Sequence, residues 1–156
     1  MNSECLRIAD QVRRAFTGEA WHGASLRELL EGITADEARA HPLPSAHSIW
    51  ELILHIDIYT HAAVESTRGI PIAKFWESKG DWLAPDGSWE AAQNQAFENA
   101  ERLAQAIEGF TDARLLEIVP GRSYDFYFLF HGIIQHSLYH AGQIAILKGG
   151  LAGPMI

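Results

Sequence analysis

The sequence predicts an all-α protein built as a four-helix bundle, and three observations carry that expectation. Apolar residues recur at helical spacing through four long stretches. Serine capping residues stand at the front of three of these stretches, and Gly or Pro breakers separate them. One connection, Ile70 to Gly87, is long enough to serve as the crossover of such a bundle. Ser3 opens a first helix to about Phe16, whose stripe is Leu6, Ile8, Ala9, Val12 and Phe16. After a loop with Gly18 and Gly23 comes a short helical piece, Ser25 to Leu30, stopped by Gly32. Thr34-Ala-Asp-Glu37 reads as a capping box whose helix must end before Pro42 and Pro44.

Ser48-Ile-Trp-Glu51 is a second capping box and opens a segment from about Ile49 to Thr67. Its centre, Leu52 to Tyr59, is rich in β-branched residues, but a run of this length with a cap in front and Gly69 and Pro71 behind is a helix. Ser88 caps the next helix, Trp89 to Glu108, which Gly109 stops. Thr111-Asp112 opens one more short turn. The last helix runs from about Tyr124 to Lys148, with Gly149-Gly150 as its stop. Its first residues, Asp125 to Phe130, look strand-like, whereas Ile133, His136, His140, Ile144 and Leu147 keep helical spacing.

At 156 residues the chain suits one domain, residues 1–156, with a core of its own. Twelve Lys and Arg against 20 Asp and Glu give a formal net charge of −8. That argues against nucleic acid or an anionic membrane surface as the partner, since both call for a basic face. Cys5 is the only cysteine, so the chain has no internal disulfide, and a lone thiol suits a reducing cytoplasm. No signal peptide is visible at the start, and no run reaches the roughly 18 apolar residues of a membrane span.

The chemistry concentrates in histidine. His136 and His140 lie four residues apart, which in a helix is about 6 Å of rise and roughly 40° of rotation, so both rings leave one face. Metal–nitrogen bonds of about 2 Å allow two such rings to share one ion. His55 sits among Leu52, Ile53, Leu54 and Ile56, where an unpartnered imidazole would be costly to bury. On a second core helix it can face the pair, and three histidines from two helices leave coordination positions open, as catalytic metal sites do. His22 and His41 fall in loops, His61 and His131 point to other faces, and His47 stands two turns below His55. Glu51 either accepts an imidazole N–H or simply completes the capping box. Tyr59 and Tyr139 flank the histidines, and Gln143 either polarises a ligand or bonds to a neighbouring helix.

Ser48-Ile-Trp50-Glu51-Leu-Ile-Leu-His55-Ile, followed by His131-Gly-Ile-Ile-Gln135-His136-Ser-Leu-Tyr-His140-Ala-Gly-Gln143-Ile, resembles the DinB/YfiT-like family over nearly the whole chain. The resemblance implies an up-down-down-up four-helix bundle and a divalent metal on three histidines, here His55, His136 and His140. It also implies a choice of chemistries, because members include S-transferases and isomerases that use bacillithiol, mycothiol or glutathione, and proteins described as hydrolases. A fold shared by several reactions names none of them.

The expectation is therefore an enzyme whose metal, Zn or Ni ahead of Fe or Mn, activates a water or a low-molecular-weight thiol toward a small-molecule substrate. Against it stand a non-catalytic metal-binding stress-response protein and a metal-free bundle. A homodimer is a further expectation, with Phe75, Trp76 and Trp82 either pairing two copies or covering the bundle core.

Overall fold

In the computed structural model, which describes residues 3–73, 77 and 80–151, the caps form as their spacing predicts. Ser48 Oγ accepts the Glu51 N–H at 3.2 Å while the Glu51 carboxylate accepts the Ser48 N–H at 2.7 Å. The same reciprocal box closes at Thr34 with Glu37 and at Ser25 with Glu28. Each box satisfies two N–H groups that a helix start would otherwise leave bare. The helices that result are α1 (Ser3–Phe16), α2 (Leu26–Leu30), α3 (Ala35–Arg39), α4 (Ile49–Thr67), α5 (Trp89–Glu108) and α6 (Phe126–Leu151), with a 3₁₀ turn at Asp112–Leu116. No strand occurs among the described residues, and none of their helices is long and apolar enough to cross a membrane.

The four long helices pack as two pairs of neighbours. α5 lies against both α1 and α4, and α6 lies against the same two from the other side. Trp50, Phe16, Phe110 and Phe130 are the largest fully buried side chains between them. Phe110 meets Phe126 and Phe130 edge to face at 5.0 and 5.4 Å, the arrangement that ring quadrupoles prefer. Trp50 packs on Trp89 at 5.3 Å, and the Trp89 indole N–H donates to the Ile33 carbonyl at 2.9 Å, which ties α3's approach to the bundle.

α6 differs from expectation at both ends. It starts at Phe126 rather than about Tyr124 because Val119 N–H donates to Tyr124 O and Phe126 N–H to Glu117 O, which hold 124 and 125 extended. The Asp125 carboxylate then accepts the Phe128 N–H at 2.9 Å and caps the helix, so the strand-like run is helical. At the far end the helix passes through Gly149-Gly150 to Leu151. Lys148 Nζ donates to the carbonyls of Leu29 and Glu31, and a Cβ on Gly150 would come within 3.5 Å of Pro42, so tertiary docking outweighs glycine's poor helix propensity. Phe75 and Trp76 of the suggested dimer surface lie outside the described residues. Trp82 stacks on His55.

Candidate metal centre

α4 and α6 cross so that His55 faces His136 and His140. The Nε2 atoms of His55 and His136 are 3.1 Å apart, and so are those of His136 and His140. One ligand nitrogen from each ring lies within 4.8 Å of the others. His55 is 4 % and His140 6 % exposed, with His136 half-buried between them.

The outer nitrogens define which lone pairs point inward. His55 Nδ1–H donates to the Asp81 backbone carbonyl at 2.9 Å, and His140 Nδ1–H donates to Gln143 Oε1 at 2.6 Å. Both rings are thereby held with an Nδ1 proton and a bare Nε2. His136 Nε2 lies between those two lone pairs, and a single N–H there cannot be directed at both. With its proton on Nδ1 instead, three lone pairs converge, an arrangement that a cation stabilises and that repels itself without one. His136 Nδ1 is buried with no hydrogen-bond partner. The donor set therefore fits a divalent transition metal.

Electrostatics agree in direction. Burial, reinforced by the neighbouring His140 and His55, pushes the His136 imidazole down to about 4 from its ordinary 6.5. His140 is lowered as well, chiefly by burial, against the opposing bond to Gln143. Neutral imidazole is the metal-binding form. Cys5 offers no rival chemistry, since burial and then Asp112 push its thiol up to about 11.

Aromatic rings complete the walls. Trp82 stacks on His55 at 3.9 Å and, on its other face, on His47 at 3.5 Å, with all three planes nearly parallel. Tyr59 packs on His55 and His136 at 4.7 and 4.3 Å, and its hydroxyl donates to the Asp81 carboxylate at 3.0 Å. Burial, with that hydrogen bond behind it, pushes the Tyr59 phenol up to about 12. A cleft of about 470 Å³ opens on the His140 side, lined by His47, Leu52, Trp82, Tyr139, Gln143 and Leu147 among others. That volume lies within the range of small-molecule sites.

Sequence and structure thus agree on His55, His136 and His140 as one cluster. Gln143 bonds to His140 and not to a neighbouring helix, and Tyr139 is an exposed wall of the cleft. Glu51 closes its capping box and lies 3.6 Å from His47, with no contact to the three histidines. His41 bonds the Ala46 carbonyl, His61 lies 3.8 Å from Glu65, and His131 packs against Tyr127, all away from the cluster. The sequence suggests a dimer surface or core cover for Trp82, not a place beside the histidines, and it does not single out Asp81. Asp81 acts through its main-chain carbonyl, which no residue pattern encodes.

Comparison with known families places these residues in context. The model of the DinB superfamily matches residues 20–144, a span that includes α2 to α5, most of α6 and all three clustered histidines. Neither curated proteins nor solved structures give a match. With four-fifths of its length in that one match, the chain belongs to the DinB superfamily.

Proposed function

We propose that the protein is a metal-dependent enzyme in which His55, His136 and His140 hold a divalent ion, Zn or Ni first, through Nε2. The convergence of three lone pairs, two of them aimed by Asp81 and Gln143, is the observation that carries this reading. When bound, the ion supplies Lewis acidity, which lowers the pKa of a water or thiol at its open positions. Of the two, we favour a low-molecular-weight thiol, and hence S-transfer over hydrolysis, on the family's range of chemistry. The pairing of Trp50 with Trp89, Asn99 with Asp57, and Arg13 with Glu101 supports the up-down-down-up order proposed for α1, α4, α5 and α6.

The chain's own groups divide the remaining work. Asp81 and Gln143 orient two imidazoles, Trp82 and Tyr59 keep water from their faces, and the cleft admits an apolar electrophile against Leu52, Tyr139 and Leu147. His47 stands in the cleft wall, stacked on Trp82 and in reach of solvent. The cleft favours catalysis over a purely structural ion, because it leads from solvent to His140.

Elemental analysis of the purified protein tests the centre: about one equivalent of a transition metal is expected, and under about a tenth rejects it. His55→Ala should abolish loading. Turnover is tested with a panel of electrophiles run with each low-molecular-weight thiol. Metal-dependent thiol consumption supports the transferase, and its absence across the panel refutes it.

A further inference from the structure

On the far side of the histidines from the large cleft lies a second path. A recess of about 190 Å³ lined by Tyr59, Tyr124, Phe128, Gly132 and His136 shares Tyr59, Tyr124, Leu129 and Ile133 with one of about 130 Å³. The second recess ends at Arg122. The two form one groove from His136 to a guanidinium. Arg122 takes part in none of the ion pairs among the described residues, and its Nε–H is buried with no acceptor. A buried, unanswered Arg donor is costly, and an Arg fork suits a carboxylate.

The placement is built into the backbone. Arg122 N–H donates to the Val119 carbonyl at 2.9 Å, closing a turn in which Gly121 has φ +74°. A Cβ on Gly121 would be strained there and would meet Pro71 at 3.2 Å. Gly132 opens the groove from the other wall, since a Cβ on it would meet nothing within 4 Å. In a chain of net charge −8, an anion needs such a local cation to enter at all. The large cleft has no Lys or Arg in its lining.

We infer that Arg122 recognises the carboxylate of a small organic acid that lies along this groove with its other end at His136, an inference resting on the reading of the histidines as the reactive centre. Together the recesses reach only the lower end, ~300 Å³, of drug-sized sites, so the acid is small. Arg122 is a specificity residue, and the uncharged reactant uses the large cleft.

Metal-free protein is titrated with benzoate and with benzamide, its uncharged isostere, followed calorimetrically and by the amide chemical shifts of Gly132 and Ile133. Benzoate is expected to bind about tenfold tighter or better, the size of one charge-assisted contact. Arg122→Gln should erase the preference and leave benzamide unchanged, Arg122→Lys should restore part of it, and Gly132→Leu should weaken both ligands. Equal affinity for the two in the native protein, or a preference that survives Arg122→Gln, overturns the proposal. Because no metal is present, a failure of the metal centre does not affect this result. In nickel-loaded protein, 6-mercaptohexanoate should then bind tighter than 1-hexanethiol by the same Arg122-dependent factor, read from the thiolate-to-metal absorption. Benzoate selectivity without any gain for the mercapto acid would sever Arg122 from the centre and also reject the inference.

Discussion

The contact between α1 and α5 and that between α4 and α6 both contain polar groups, yet they solve opposite problems. Between α1 and α5, Arg13 bonds Glu101 and Glu108, and the Asp112 carboxylate accepts the N–H groups of Cys5 and Glu4. Arg13 there meets two carboxylates, and Glu101 and Glu108 are held below the usual carboxylate range chiefly by it. Between α4 and α6, three like acceptors face each other and the His136 Nδ1 has no partner. The first contact is complete as it stands. The second leaves three imidazole lone pairs facing one another, a group that could hold a metal ion.

The largest effect that separates the two is loss of metal. His55→Ala should abolish binding, whereas Arg13→Gln should leave it intact, as measured by elemental analysis after dialysis. Next comes Gln143→Ala, which frees the His140 ring; affinity for zinc should fall about 10- to 100-fold in chelator competition, the usual effect of removing an outer partner. An unchanged affinity would mean that Gln143 does not orient the ligand.

Acid should distinguish the two contacts by window. Between pH 6.5 and about 4 the unfolded chain takes up a proton at His136 that the fold excludes, so metal-free protein loses stability as pH falls through that range. Above 6.5 this group contributes no slope. Glu101 and Glu108 have lowered folded values, so their contribution is present above the ordinary 4.5 and is lost only as pH falls below it. Thermal denaturation of metal-free protein should therefore show a slope above pH 4.5 that His136→Gln flattens and Arg13→Gln does not. The smallest effect is that of Arg13→Gln on stability near neutrality, about 1 kcal/mol, because both of its ion pairs are partly exposed.

Legibility followed the same division. The three histidines could be read because helical periodicity converts spacing into direction, so His136 and His140 share a face and His55 has an apolar run to be buried in. The capping boxes were equally plain, and Glu51's place in one of them explains why it is absent from the centre. Loops have no such arithmetic. Asp81 enters through a carbonyl and Trp82 through a stacking plane, with His47 against the same indole. The end of α6 was obscured for another reason: glycines normally terminate helices, and the contacts that prevail over them, Lys148 with α2's carbonyls and Gly150 with Pro42, join residues far apart in sequence.

Asp81 has one further consequence, for rates. Its carbonyl holds His55 while its carboxylate holds Tyr59, so a single residue of the connection is fastened to two neighbouring turns of α4. The His55 ring cannot swing away from a ligand until that clasp opens. Escape of anything bound at the centre is thereby geared to local loop opening, and its lifetime would be set by the clasp as much as by the strength of its own bonds.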